Sequence, residues 1–442
     1  MKIAVIGGGI SGLGAAYALS QRHEVTLFEA EHRLGGHAHT VDINVGGDRV
    51  AVDTGFIVYN EHNYPSLTRL FADIGAPTEK SSMTFSVSLD GGAREYSGTL
   101  QGLFAGANFF SSRHWRMLSE IVTFYRSAEE LIARPGYAEL SLGAFLKRSG
   151  FSGSLARDHL LPMAAAIWSS TTSQTLAFPA RTFVRFFANH GLFSLTSRPQ
   201  WRTVSGGSRE YVERLNSHMR ARVFLGANIK RIERLPHGVS VVSGTGQAAR
   251  FESVVLATHA DQALSILGNS ASADERRILG AITCQDNDAY LHCDPTLMPR
   301  RRAVWSSWNT LTAKGQDESR PVFVSYWMNR LQNLQTKLPI IVSLNPFTPP
   351  AADKLFVRYK CRHPQFDANA LAAQSSMPRI QGRERVWFCG AWTGYGFHED
   401  GLASGLSVAS ALGAAPGWAR NIAHKSPAAQ NSRPITSREA AE

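Results

Sequence analysis

The opening residues MKIAVIGGGISGLGAAYALSQRHEVTLFEA constrain this chain more than any other stretch. Ile3 to Ile6 form a short apolar run rich in β-branched residues, and Gly7, Gly9 and Gly12 follow at once. Such a run entering a glycine turn predicts a buried strand. Ala15, Ala16, Ala18 and Leu19 are good helix formers, so the turn lies at a helix N-terminus, with Ser11 in the first turn. Unpaired N–H groups and the helix dipole there favour a pyrophosphate. The first glycine permits the turn, the second lets the backbone approach the phosphates, and the third lets helix and strand pack closely.

A Gly-x-Gly-x-x-Gly is a weak signal by itself, and the second strand supplies an independent check. Val25 to Phe28 is apolar and ends in Glu29, 22 positions after Gly7, close to the roughly 20 expected for an acid that accepts from a ribose hydroxyl. Like-charge repulsion between this acid and a 2′-phosphate favours a free ribose, as in NAD or FAD. The competing reading is a structural turn with a surface glutamate.

The continuation Arg33-Leu34-Gly35-Gly36-His37-Ala38-His39-Thr40 resembles the second glycine motif of the amine-oxidase and phytoene-desaturase superfamily of flavoproteins. The resemblance implies FAD. It implies that Gly35 and Gly36 let the chain pass close to the cofactor, that Arg33 offers a charged donor to phosphate, and that Thr40 offers a hydroxyl. His37 stands where family members often carry arginine. After a hairpin (41–45 and 50–52), Asp53-Thr54-Gly55-Phe56 is similar to the segment that returns past the flavin. Gly55 and Phe56 become cofactor candidates, although a strand end with a turn glycine explains them as well.

The pattern resumes at Ser205-Gly206-Gly207-Ser208, a helix over 209–219, and a strand over 223–232. In the superfamily such a strand pairs with the adenine edge, and the match puts Ile229 there. Strands over 239–242 and 254–258 follow. Residues 386–392 are expected as the final sheet strand, and the resemblance sets Gly390 near the pyrophosphate. Gly401 then opens a helix after Asp400, aimed at the N1 and O2 region of the flavin, where a fixed dipole stabilises charge arriving with a hydride.

Composition narrows the alternatives. With 442 residues, 43% hydrophobic and 18% charged, the chain suits two globular domains with a large core. A net charge of +11 attracts anions. No recognition helix, aromatic RNA-binding strand or zinc spacing accompanies it, so an anionic membrane surface fits better than nucleic acid. Cys284, Cys293, Cys361 and Cys389 are widely spaced, which predicts reduced thiols and no metal or disulfide framework. His37 and His39 have no third ligand at a sensible spacing. No apolar run reaches the roughly 18 residues of a membrane span, and a strand starting at Lys2 leaves no room for a signal peptide. The expected location is cytoplasmic or peripheral on the inner membrane face.

The intervening segments are less decided. Residues 102–133 predict a helical stretch with Phe109, Phe110, Arg113, Trp115 and Arg116, which suits either a docked helix or a membrane interface. Met163, Trp168, Phe178, Phe183, Phe186 and Phe187 suit a tunnel wall or a plain core. Pro299-Arg300-Arg301-Arg302 is a basic loop, open to solvent or to lipid phosphate. In the superfamily's amine oxidases a lysine near the flavin stands in the strand that here reads Ala289-Tyr290-Leu291-His292-Cys293-Asp294, and the lysine is missing.

The expected fold is α/β: a discontinuous Rossmann-like FAD-binding domain (1–60, 200–272 and 380–414) interleaved with an α+β substrate domain (61–199 and 273–379), and a disordered tail over 415–442. The whole chain most resembles bacterial amine-oxidase-like flavoproteins linked to modified fatty acids, on segments such as Ala166-Ile167-Trp168-Ser169-Ser170. That resemblance implies hydride removal from an apolar substrate, a phospholipid acyl chain foremost. Tyr395 and Phe397 are candidates to line the reacting face, with His398 as a base or a hydrogen-bonded turn residue. An amine oxidase, an isoprenoid or carotenoid desaturase and a non-catalytic flavin-binding protein stay open, as does the oligomeric state.

Overall fold

In the computed structural model, which describes residues 1–194, 199–315 and 322–419, one parallel sheet collects strands from distant parts of the chain. Its order is Ala221–Phe224, Glu24–Phe28, Lys2–Ile6, Ser253–Leu256, Val386–Phe388. Parallel strands must be covered on both faces. Alternation along the first strand shows how this is met: Ile3 and Val5 join a core with Leu13 and Leu19, while Ala4 and Ile6 join another with Ala260, Ala263 and Ile266. The helix Ile10–Leu19 is buried along its whole length.

Residues 223–232 are not one strand. Ala221–Phe224 enters the parallel sheet, the chain turns at Gly226 with φ +66°, and Ile229–Leu235 starts a separate antiparallel sheet with Gly238–Ser243 and Ala248–Phe251. A left-handed glycine is what permits the break.

The second half is built on a seven-stranded sheet ordered Leu355–Pro364, Cys284–His292, Ile341–Leu344, Phe323–Trp327, Trp308–Leu311, Phe85–Leu89, Arg94–Ser97. Its neighbours are antiparallel except Trp308–Leu311 with Phe85–Leu89. Helices Ser112–Ile132, Leu142–Arg148, Leu161–Trp168 and Ala180–Asn189 pack on it around Phe124, Phe145, Phe183, Phe186 and Phe187. Each such ring contributes about 1.5–3 kcal/mol by leaving water. The fold is therefore α/β, with an interleaved α+β part.

Two local expectations change. The stretch 102–133 divides into Leu100–Leu103, a 3-10 turn Gly106–Phe110, and Ser112–Ile132, because Ser111 caps a new helix by accepting from His114 N–H. Residues 415–419 are not a loose tail: Ala419 is buried and Trp418 donates its indole N–H to Asp73 at 3.1 Å. The rest of the expected tail, 420–442, lies outside the described residues. Among the described residues, no helix is long and apolar enough to cross a membrane.

Candidate cofactor and active site

The two glycine motifs meet backbone to backbone. Gly9 bridges Gly35, and Gly35 N–H donates to the Gly8 carbonyl at 2.8 Å. A Cβ on Gly36 would stand 3.0 Å from the Gly9 Cα, and one on Gly12 only 1.8 Å from the Gly7 carbonyl oxygen. Gly9 differs, since the nearest atom to a Cβ placed there is 4.0 Å away. An open glycine before a helix whose first N–H groups lack intrahelical partners fits a pyrophosphate.

Glu29 sits at its strand end as expected, its carboxylate accepting from the N–H groups of Gly8 and Glu31. Ala227 N–H donates to the Glu29 carbonyl at 2.8 Å and so brings the 226–229 turn alongside. Ile229 lies in that turn, yet its own N–H donates to the Ala227 carbonyl at 2.9 Å. The adenine-edge pairing implied by resemblance is not available to that N–H.

Arg33 and Thr40 also turn elsewhere. The Arg33 guanidinium donates to the carbonyls of Gly36 (3.0 Å) and Ala38 (3.3 Å) and pairs with Glu31 at 2.9 Å, bracing its own loop. The Thr40 hydroxyl donates to Asp53 at 2.6 Å and accepts from Arg209 N–H at 2.9 Å. Asp53 is fully buried. It also accepts from Ser208 N–H and Oγ at 2.8 and 2.7 Å and from Gln332 Nε2 at 3.0 Å. Burial pushes this carboxyl up to about 6 despite those donors. One acid thus ties the hairpin, the second glycine-pair turn and the second half of the chain together. The sequence signal for it was an acid closing the apolar strand Val50-Ala51-Val52. Gly55 and Phe56 run past the second glycine motif: Phe56 N–H donates to the His37 carbonyl at 2.7 Å, and a Cβ on Gly55 would lie 2.0 Å from that oxygen.

Four histidines from four segments gather here, which no spacing in the sequence announces. The His37 ring lies 5.9 Å from His259 and 5.6 Å from His363. His37 donates Nε2–H to the Arg362 carbonyl at 3.2 Å, and His363 shares a hydrogen bond with Ser169, a left-handed residue at φ +52°. Desolvation lowers all four, to about 4 for His259 and about 3 for His363 and His398, so these three are neutral at pH 7. His37 itself is exposed, and the neighbouring Arg33 guanidinium also lowers its basicity. Nearby, ligand atoms of His259, Asp261 and Cys284 lie within 4.8 Å of one another. The Arg362 guanidinium on Asp261, at 2.8 Å, places a cation where a metal would compete. The four cysteines are free thiols.

The closing helix runs His398–Ala411 and begins three residues before the expected start. Asp400 accepts from Tyr395 N–H (3.1 Å) and Phe397 N–H (2.9 Å), and burial pushes it up to about 7. Its carboxyl caps its own helix instead of reaching outward. Glu399 accepts from Ser66 and Leu67 N–H and caps the helix Pro65–Asp73. A Cβ on Gly401 would lie 2.9 Å from Ser11 Oγ, and one on Gly405 2.2 Å from the Ser11 carbonyl oxygen, so the closing helix crosses the first helix at Ser11. Gly390 is held by its N–H, which donates to Ser404 Oγ at 2.9 Å.

Of the three residues expected near the reacting face, two stay together and the third turns away. Tyr395 packs edge-on to Phe186 at 5.2 Å, its buried hydroxyl without a partner, and Phe397 stacks on the same ring at 5.5 Å. His398 instead stacks on Phe56 at 3.8 Å and meets the Tyr211 hydroxyl at 3.1 Å. Burial holds the Tyr211 phenol well above its ordinary value, so it is the O–H that donates to His398 Nε2.

A model of the flavin containing amine oxidoreductase family matches residues 10–275, more than half of the chain and all of the cradle after Gly9. The chain belongs to that family. Its cofactor is FAD. A Mycobacterium tuberculosis protein named as a flavin-containing monoamine oxidase, AofH, is 28% identical over 261 residues, covering 56% of this chain and 55% of the relative. The chain thus matches about half the length of that curated relative. A carotenoid phi-ring synthase of Chlorobaculum tepidum is 39% identical over 75 residues, 17% of this chain and 11% of the relative. Among solved structures of this flavoprotein fold, putrescine oxidase superposes with a TM-score of 0.67 at 15% identity, over 93% of this chain and 99% of that one. A CLA-producing fatty acid isomerase from P. acnes superposes with a TM-score of 0.64 at 16% identity, over 93% and 97%. At such identities the likeness is one of fold.

Proposed function

We propose that this flavoprotein is an oxidoreductase that removes a hydride from a C–H bond of an apolar substrate, an acyl chain of a membrane lipid, and so desaturates it. The observation that carries the reading is the aromatic wall next to the closing helix. Trp168, Phe178, Phe183, Phe186, Tyr395 and Phe397 pack in one cluster there. An ammonium group brought to that wall would need a paired carboxylate. Asp400 is a poor counter-ion, since its oxygen is engaged by backbone N–H groups and its carboxyl is shifted toward neutrality.

FAD bound in the glycine cradle would supply the hydride acceptor. The chain's residues exclude water and hold the substrate: Phe186 and Phe397 as flat walls, and Tyr395 with its unpaired hydroxyl at the rim of the reacting face. Desaturation also releases a proton. We assign its first acceptor to His398, which is neutral, with the Tyr211 hydroxyl rotating away from Nε2 to free the lone pair. The segment 7–12, Glu29 and Gly36 would cradle the dinucleotide.

Anaerobic mixing of the purified yellow protein with a phospholipid extract, with polyamines or monoamines, and with isoprenoid or carotenoid precursors tests the reading. Bleaching by phospholipid alone, with acyl chains two hydrogens lighter by mass spectrometry, is expected. Bleaching by an amine with peroxide release on admitting air would establish the amine-oxidase reading, which family membership favours. Bleaching by isoprenoids would establish the third. No bleaching by any of them would leave a flavin-binding protein without turnover.

A further inference from the structure

We infer that the face formed by residues 100–116 and the loop Pro299–Arg302 docks on an anionic lipid bilayer. This deepens the acyl-substrate reading by stating where the substrate is met, and its test reads binding alone, so either can fail without the other.

Eight large hydrophobic side chains are exposed among the described residues, and four of them, Leu100 (79% exposed), Phe109 (53%), Phe110 (86%) and Trp115 (45%), fall in this one short segment. They are not scattered. Phe109 lies 5.9 Å from Phe104, 5.4 Å from Phe110 and 6.0 Å from Trp115, and Phe104 closes the group at 5.5 Å from Trp115. The indole N–H of Trp115 donates to the Phe109 carbonyl at 2.7 Å and fixes the turn that lifts Phe109 and Phe110 outward. Burying Phe110 inside the protein would have been favourable; presenting it from a braced turn marks an interaction site.

The fold brings a basic loop from nearly two hundred residues later against this turn. A Cβ on Gly106, at φ +64°, would lie 2.9 Å from Arg301 Nε, and one on Gly92 2.6 Å from Arg300 Cδ. The loop is anchored, because the N–H groups of Arg300 and Arg301 both donate to the buried Glu95 carboxylate, at 2.7 and 3.0 Å. Arg113 and Arg116 extend the positive edge along the helix after Ser111. The acids facing this surface are Glu95 and Asp158, both buried and already paired with Arg301, Arg94 and Arg113, and Asp90, paired with Arg94. Arg116 and Arg300 remain exposed.

An aromatic knob ringed by arginines, on a chain of net charge +11, suits a headgroup layer: the rings sit at the acyl boundary while guanidinium groups meet phosphate. A protein partner would need a complementary acidic rim around an apolar pocket, and nothing here selects one.

The test uses the FAD-loaded full chain and vesicles of phosphatidylcholine alone or mixed with phosphatidylglycerol. Wild type is expected to pellet with the anionic vesicles and to be released largely by high salt. The double variant F109E/F110E should partition at least about tenfold more weakly, while Leu338→Glu, at another exposed apolar position, should bind as wild type. Flavin absorbance and melting temperature equal to wild type show that the variant is folded. Equal, negligible pelleting on both vesicles overturns the inference, as does F109E/F110E pelleting like wild type. Self-association without vesicles that the double variant abolishes also overturns it and assigns the face to a second copy of the chain.

Discussion

Around Ser11 the molecule is held by backbone against backbone; around Phe186 it is held by ring against ring. Gly12, Gly36 and Gly405 leave little or no room for a Cβ where two segments touch, whereas Phe186 meets Trp168, Tyr395 and Phe397 across ordinary contact distances. A surface made of main chain presents the same N–H groups whatever the side chains are, and so serves a ligand that never changes. A surface made of side chains can be recut for a different substrate by exchanging rings, without disturbing the cradle. That contrast accounts for a fold shared at about 15% identity with putrescine oxidase and with a fatty acid isomerase.

The sharpest way to break the contrast is Gly12→Val. Its Cβ would fall 1.8 Å from the Gly7 carbonyl oxygen, a main-chain atom that cannot move without opening the turn. Soluble protein should be colourless or absent; a yellow, wild-type yield of G12V would mean that the cradle is not backbone-limited. Next in size, Phe186→Ala should cost about 3–5 kcal/mol in chemical denaturation through the cavity it leaves, yet folded protein should keep its flavin. Loss of flavin with retained fold would show that the two regions are not separable.

Asp400 lies between the regions and its prediction is one of pH. A carboxyl that ionises at about 7 when folded and near 4 when unfolded favours the folded state fully below pH ~4 and loses that contribution as pH rises to 7. Relative to wild type, Asp400→Asn should therefore gain stability between pH 5 and 8, by at most about 4 kcal/mol. Parallel denaturation midpoints at both pH values, with no change in the difference, would place the charged form in the native protein. The smallest effect is expected for Tyr395→Phe. Removing a buried hydroxyl that has no partner should leave stability within about 1 kcal/mol of wild type or raise it, while turnover on the true substrate reports whether that oxygen touches the reacting face.

The same contrast explains what the sequence revealed. Gly7 to Gly12, Glu29 and the strands at 2–6, 24–28, 253–256 and 386–388 were legible because main-chain constraints leave glycine spacing and apolar runs within a few residues of each other. The Asp53 network and the four histidines were not, since Asp53 meets Gln332 and His37 meets His363 across hundreds of residues. Arg33 and Thr40 have partners within the chain that their motif did not announce, Glu31 and two carbonyls for Arg33 and Asp53 for Thr40. A polar side chain takes the nearest carbonyl or carboxylate, and motif spacing carries no information on which is nearest. The start of the closing helix was missed because Asp400 caps backward onto Phe397, so the acid that looks like a helix border lies inside the first turn.

One edge strand of the parallel sheet, Val386–Phe388, follows its neighbour Ser253–Leu256 only after the long intervening segment that builds the other sheet. During synthesis, the segment that will grip a diphosphate emerges long before Val386–Phe388 and waits, with an unfinished edge at Ser253–Leu256, until that strand follows. Nascent chains stalled before that point should therefore be the ones that chaperones retain.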